Sequence, residues 1–510
     1  MAASIAQLTL DDVVAIARHD ESVQMDVDTL DRIAAGRDVV ERLAQSPTPA
    51  YGVSTGFGAL ATVSIPAPRR AALQTSLIRS HAAGTGQLIP REVVRAMMLL
   101  RLRTLASGLT GVRPVVVETL AAMLAAGITP AVRQYGSLGC SGDLAPLSHV
   151  ALAAMGEGTV LNADGDLVLA GTALTGAGIE PVVLSDKEGL ALINGTDGML
   201  GMLILALADL EDLFITADLA TAMSVESLLG TDRAFAHDLV ALRPHPGQAT
   251  SAAALRAYLD GSEIVASHRD DTEHLVQDAY SLRCSPQVTG AARDTADHAR
   301  AVAERELASV IDNPVVLPDG RVESNGNFHG APVAYVLDFL AIACADVASI
   351  SERRTDRLLD KTRSQGLPPF LAHEPGVDSG YMIAQYAAAD IVSSLKRLSV
   401  PASVDSIPSS AMQEDHVSMG WAAGLKLRDA VDGLRRVLAI EVLVASRALD
   451  LRAPLRPAIA TGAARDVVRA AVGGPGPDEW VSAQMEAVVG MLEDRSVLDA
   501  VDLALTTQER

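Results

Sequence analysis

Cysteine is nearly missing from this chain: Cys140, Cys284 and Cys344 are the 3 in 510 residues. Three scattered thiols form no disulfide framework and have neither metal-ligand nor redox spacing, which fits a reducing compartment. Aromatic residues make up 3% of a chain that is 49% hydrophobic. The apolar mass is largely Ala and Leu, which favours packed helices over sheets. Lysine is confined to Lys187, Lys361, Lys396 and Lys426, there is no basic run, and the formal net charge is −22. Nucleic acid and anionic membrane are therefore poor partners. Residues 1–20 lack a cationic region and carry Asp11 and Asp12, which argues against a secretory signal. No apolar run reaches the roughly 20 residues of a membrane span. Met199–Ala208 is closed by Asp209, Glu211 and Asp212, and Val333–Ala345 is interrupted by Asp338 and ended by Asp346. The expectation is a cytoplasmic protein with no membrane or nucleic-acid partner.

Length alone allows roughly two to four domains. Helical periodicity is expected over 92–127 with a break at 108–114, then over 187–230, 250–261, 264–281, 287–312, 330–362, 378–399 and 415–449. A loop punctuated by Gly and Pro occupies 51–68. Turns around Asn162-Ala-Asp-Gly165 predict a hairpin or irregular region within 157–181. Gly473-Gly-Pro-Gly-Pro477 reads as a linker before a last helix from about Glu479 to Leu492. Long apolar helices must bury more than one face, which a bundle extended by assembly with other copies achieves. The fold expected is mainly α: a mixed N-terminal domain over residues 1–190, then a helical bundle over 191–510.

The most informative stretch runs Gly136-Ser-Leu-Gly-Cys-Ser-Gly-Asp-Leu-Ala-Pro-Leu-Ser-His149. If the amide nitrogen of Gly142 attacks the carbonyl carbon of Cys140, a five-membered ring closes. Loss of water there, and of the Ser141 hydroxyl, leaves a methylidene-imidazolone with an electron-poor CH2. Gly142 has no Cβ to block so close an approach, Ser141 supplies the leaving hydroxyl, and Cys140 contributes only its carbonyl. A serine-hydrolase elbow needs Gly-x-Ser-x-Gly after a strand. Asp143 stands where its second glycine belongs, and no β-rich run precedes it. A plain loop with Asp143 as N-cap of the next helix leaves the two glycines flanking Cys-Ser unexplained.

Other polar residues each admit two readings. Tyr51 stands among three glycines at 50–58, in a loop able to bring a phenol to a ligand or anchored by that phenol. His81, in Arg79-Ser-His-Ala-Ala-Gly84, caps a helix end or touches substrate. Asn194, in Ala191-Leu-Ile-Asn-Gly-Thr196, is an amide in an apolar helix, either breaking it or bonding a ligand. Gln277, Tyr280 and Arg283 share one face of a helix or of its frayed end. Arg283 offers a fork for a carboxylate or for an ion pair. Phe328, after Ser324-Asn-Gly-Asn327, walls a pocket or belongs to the core. Glu414, Asp415 and His416 crowd together in Met412–Met419 but lack the i, i+4 histidine spacing of a helix-borne zinc site. No metal is expected.

Jointly, these motifs resemble those of the aromatic amino-acid ammonia-lyases over roughly residues 8–495. The matches are Tyr-Gly-x-x-Thr-Gly-Phe-Gly at 51–58, Ser-His-Ala-Ala-Gly at 80–84, the ring segment at 136–149 and Asn-Gly-Thr at 194–196. They continue with Gln-Asp-x-Tyr-Ser-Leu-Arg-Cys at 277–284, Gly-Asn-Phe-His-Gly at 326–330 and Gln-Glu-Asp-His-Val-Ser-Met at 413–419. The resemblance implies a 4-methylidene-imidazol-5-one formed from Cys140, Ser141 and Gly142, with no dissociable cofactor. It implies a bundle assembled into a homotetramer, with active sites shared between chains. The reaction implied is elimination of ammonia after the substrate amine adds to that group. Phenylalanine and tyrosine lyases resemble one another in carrying Asn-Gln-Asp where this chain has Gln413-Glu414-Asp415. A carboxylate there suits the N–H of an imidazole, so L-histidine is the expected substrate and trans-urocanate the product. A tyrosine lyase or an aminomutase is the alternative.

By the same resemblance Tyr51 is the base and Arg283 holds the substrate carboxylate. Asn194 and Tyr280 take up developing negative charge, with Gln277 behind them. Phe328 lines the pocket, and His81 and Glu414 address the imidazole. Cys140 (alanine in most members), Asp197 and Ala331 depart from the commonest pattern. The fumarase/aspartase signature Gly-Ser-Ser-x-Met-Pro-x-Lys-x-Asn is absent.

Overall fold

The structure is a computed structural model that describes residues 3–46, 52–56, 63–269 and 276–508. Helices dominate it, as composition requires. Strands among the described residues are short and sit in small sheets. One is the expected hairpin, Thr159–Leu161 antiparallel to Leu167–Leu169. Its turn is set by Asn162, whose Oδ1 accepts the N–H groups of Asp164 and Asp166 at 3.0 and 2.8 Å.

Segments distant in sequence gather into two compact units. The first comprises Met1–Ala208, Ala299–Asp338 and Pro401–Lys426; the second comprises Asp209–His298, Phe339–Val400 and Leu427–Arg510. Both are therefore discontinuous, unlike a single cut near residue 190.

In the first unit the helix Arg91–Ala106 is buried on nearly every face, charged residues included. Its two innermost charges are satisfied locally. Arg95 donates to the carbonyls of Ile16 and Leu124 at 2.9 and 3.1 Å, and Arg101 pairs with Asp197 at 2.5 Å. The next helix, Pro114–Ala125, starts on proline, whose missing N–H is no loss at a first turn. In the second unit Arg354 and Glu441 pair at 2.6 Å. Ser224 and Ser351 donate to the two oxygens of the same carboxylate, each at 2.6 Å.

Three expectations need correction. Among the described residues, the helix expected over 264–281 is limited to Glu263–Ala266 and Tyr280–Arg283. Ser267 turns its hydroxyl onto the Ile264 carbonyl at 2.7 Å, a local bond that competes with helix propagation. Unexpected helices include Ile459–Val472 and Ser496–Gln508, besides Leu10–His19 and Val27–Ala44 near the start of the chain. The first buries Ala460, Thr461, Ala464, Val468 and Val472, a stripe of small residues with little apolar contrast. Asp338 breaks the apolar run but not the helix expected over 330–362. The helix Ala331–Leu359 runs through it and, by length and composition, is one that would cross a membrane, though 56% of its most apolar window is buried. Asp338 is 1% exposed, pairs with Lys426 and accepts the Ser403 N–H at 2.8 Å. Burial alone would raise its carboxyl, but these two partners outweigh it and hold it below the ordinary range.

Candidate active site

The ring segment lies against the Asn194–Thr196 turn. Gly142 and Gly195 form a parallel bridge, and the Asp143 N–H donates to the Gly195 carbonyl at 2.7 Å. Gly142 has φ +78°, and a Cβ there would come within 2.0 Å of the Gly195 oxygen. At Gly195 a Cβ would meet the Arg101 guanidinium at 1.7 Å. Both glycines are thus fixed by close approach.

Asp143 holds the N-cap position of the helix Leu144–Ala154, but its side chain makes no bond to that helix. Its Oδ2 instead accepts the N–H groups of Gly198 and Met199, each at 2.9 Å, at the start of the helix Asp197–Ser227. Burial pushes this carboxyl up to about 7, with the Asp197 charge adding to the rise and the N–H bonds from Met199 and Gly198 opposing it. Asp197, one of the departures, is 5% exposed and closed off by Arg101. Arg101 also donates to the carbonyls of Ala191, Asn194 and Ile311, tying the Asn194 turn to its surroundings.

Beside this turn opens a cavity of about 450 Å³, within the usual range for small-molecule sites. Leu73, Leu77, Leu144, Leu190 and Ile193 supply apolar walls, and Ser141, His81, Asn194, Asn313, Ser410 and Glu414 the polar ones. Four residues singled out in the sequence therefore meet here: Ser141, His81, Asn194 and Glu414.

His81 ends the helix Arg70–His81, its Nδ1 lying 3.0 Å from the Leu77 carbonyl. A carbonyl only accepts, so Nδ1 carries a proton, and Nε2 is the nitrogen left to face a ligand. The helix-end and cavity readings of this histidine thus hold together. Asn194 donates from Nδ2 to the Asn313 carbonyl at 2.8 Å, while its Oδ1 is buried with no partner among the described residues. Glu414 accepts from Ser409 Oγ at 2.7 Å. Cys140 Sγ lies 3.3 Å from that same hydroxyl. Burial pushes the Cys140 thiol up to about 11; the Ser409 bond opposes this and the Glu414 charge reinforces it.

Gln277, Tyr280 and Arg283 belong to the second unit, whereas the cavity lining comes wholly from the first. Gln277 precedes the short helix Tyr280–Arg283 rather than sharing a helical face with it. Tyr280 is 72% exposed. Arg283 lies over its ring at 4.7 Å and donates from Nε to the Asp278 carbonyl at 3.0 Å. Among the described residues no carboxylate pairs with Arg283. Phe328 is half-buried and does not line the cavity. Tyr51 lies outside the described residues. Among the described residues no group of three or more His, Cys, Asp or Glu is arranged to hold a metal. Sequence reasoning missed Ser409, Ser410 and Asn313. The first two adjoin a matched motif without belonging to it, and Asn313 acts through its backbone carbonyl, which carries no side-chain signal.

A model of the aromatic amino acid lyase family matches residues 8–470. A histidine ammonia-lyase of Streptomyces avermitilis is 61% identical over 496 residues, 97% of each chain. A solved tyrosine aminomutase from Streptomyces globisporus is similar with a TM-score of 0.93 at 37% identity, covering 99% of both chains. A histidine ammonia-lyase from Trypanosoma cruzi follows at 0.91 and 36%, covering 99% of this chain and 96% of that one. The chain belongs to the aromatic amino acid lyase family.

Proposed function

We propose that the chain is a carbon–nitrogen lyase that eliminates ammonia from L-histidine to give trans-urocanate. The observation that carries this reading is the Glu414 carboxylate lining the same cavity as Ser141 and Asn194. A half-buried acid facing the cavity suits a ring N–H, and a phenyl ring, which offers it no donor, is disfavoured by comparison. His81, whose Nε2 is left to face a ligand, serves the same imidazole.

The Cys140-Ser141-Gly142 segment suits a 4-methylidene-imidazol-5-one. Gly142 already approaches neighbouring backbone more closely than any Cβ allows, and Asn194 lines the same cavity as Ser141. When formed, that group supplies an electron-poor carbon that makes the substrate amine a competent leaving group. Asn194, anchored through one N–H to Asn313, keeps its second N–H for developing negative charge, and its Oδ1 accepts from the substrate ammonium. Arg283, free of any carboxylate among the described residues, grips the substrate carboxylate, with Tyr280 and Gln277 alongside. Phe328 walls the site. Tyr51 removes the β-proton, a contribution of roughly 10²–10⁴-fold for a positioned base. We further propose a cytoplasmic homotetramer with active sites shared between chains, needing no metal and no dissociable cofactor.

The experiment is a near-ultraviolet progress curve with L-histidine, run beside L-tyrosine and L-phenylalanine. Urocanate from histidine alone is the expected result. Absorbance growing only with tyrosine would overturn the assignment of Glu414 to an imidazole. A β-amino acid accumulating from tyrosine would place the chain with the aminomutase that it resembles in fold.

A further inference from the structure

The grip on Glu414 reaches back to the ring segment. Ser409 and Glu414 close an antiparallel bridge, with N–H to carbonyl distances of 3.0 Å from Ser409 and 3.3 Å from Glu414. The turn between them puts Ser410, Ala411 and Met412 at φ +50°, +54° and +69°. Three successive side-chain-bearing residues in the left-handed region persist only where the surroundings enforce it. Across the bridge, Ser409 Oγ donates to Glu414 Oε2 at 2.7 Å. A carboxylate only accepts, so the one hydroxyl proton of Ser409 is committed to Glu414. Cys140 Sγ, 3.3 Å from the same oxygen, is then the donor, and a thiol raised to about 11 by burial keeps its proton at neutral pH. The result is a one-way chain, S–H to O–H to carboxylate. It begins at the residue before Ser141 and ends at the wall of the cavity. Glu414 also lines the cavity, so the same carboxylate faces a ligand.

We propose that Ser409 is a positioning residue that fixes the Glu414 carboxylate for recognition of an imidazole N–H, and that Cys140 in turn fixes Ser409. The proposal rests on the reading of Glu414 given above. It gives the Cys140 side chain, which ring closure does not use, a task that the alanine of most resembled sequences cannot perform.

The test uses the full-length enzyme, with KM and kcat for L-histidine, the calorimetric Kd of urocanate, and the intact mass as an independent record of ring formation. Ser409→Ala should raise KM and the urocanate Kd roughly ten- to a hundredfold, the loss expected for a hydrogen bond to a charged group. Its mass should remain lighter than the translated sequence by the two waters that ring formation releases. Ser409→Thr, which retains the hydroxyl, should return both constants to within about twofold of the parent, and Cys140→Ala should raise them by a smaller factor, about two- to fivefold. Glu414→Gln separates the two claims. If it weakens urocanate binding while Ser409→Ala does not, the positioning role is wrong and the reading of Glu414 stands. If Glu414→Gln leaves urocanate binding unchanged, the reading of Glu414 falls and the positioning role with it. Should Ser409→Ala fail to fold, an unrescued Ser409→Thr or a Cys140→Ala indistinguishable from the parent overturns the proposal.

Discussion

A guanidinium sealed from water must find all its partners inside the protein, and Arg101 does so at the turn that bears Asn194. It is 0% exposed and engages Asp197 and three backbone carbonyls. Asp197 departs from the commonest family pattern, and the structure supplies the reason for its presence: it neutralises that arginine. Removing one member of a buried pair strands the other, typically at about 3–5 kcal/mol, whereas replacing both by apolar groups is far milder. Arg101→Met should therefore lower stability by about 3–5 kcal/mol, read as the shift in urea denaturation midpoint at constant slope. A loss under about 1 kcal/mol would mean that water reaches Asp197. At this scale the chemistry was legible as residue type. A carboxylate at Glu414, a hydroxyl at Ser141 and an amide at Asn194 all stand out in the sequence, and one cavity receives them. Ser409 was not legible, because a serine beside a motif is ordinary until its hydroxyl is seen to lie between a thiol and a carboxylate.

Among elements, the long helices were readable because their apolar periodicity is sustained, as over Arg91–Ala106 and Gly420–Asp450. Short helices with small buried residues, such as Ile459–Val472, were not. Asp143 illustrates the limit of local rules. Its position before a helix was legible, but its side chain serves the start of a different helix, 54 residues onward at Asp197. Burial raises that carboxyl from 3.8 to about 7. A group more readily protonated in the folded than in the unfolded chain binds extra protons between those two values. Its contribution to stability is therefore present at the acid end of that window and is lost as pH rises to about 7. Asp143→Asn keeps an acceptor for the helix N–H groups and removes the titration. The Tm of the variant minus that of the parent should climb as pH goes from about 4 to about 7 and then level. A flat difference across that range would show Asp143 ionised throughout.

For the whole molecule, the division of proposed site residues between two compact units carries a consequence. Ser141, His81, Asn194 and Glu414 belong to the first unit and Tyr280 and Arg283 to the second. In the homotetramer with shared sites proposed above, different copies would complete each site, in keeping with the closed symmetry usual for such assemblies. Light scattering should give about four times the 53.1 kDa chain. Co-expressing Ser141→Ala with Arg283→Ala should recover measurable histidine turnover that neither variant has alone, because a hybrid can bring an intact Ser141 and an intact Arg283 to one site. Hybrids that stay inactive would assign both residues to a site built by a single chain.

What the sequence by itself determined is chemical and local. A Cys-Ser-Gly run that can cyclise, a carboxylate in place of an amide near residue 414, and apolar periodicity long enough for helices all depend on covalent identity and near neighbours. The tertiary structure alone decided which groups meet. Gly142 lies against Gly195, Asp143 against the start of the helix Asp197–Ser227, and Cys140 against Ser409 and through it Glu414. Those pairings span up to 269 residues of chain. They are selected by burial, which favours arrangements in which enclosed polar groups meet partners, and no pattern along the sequence encodes that choice.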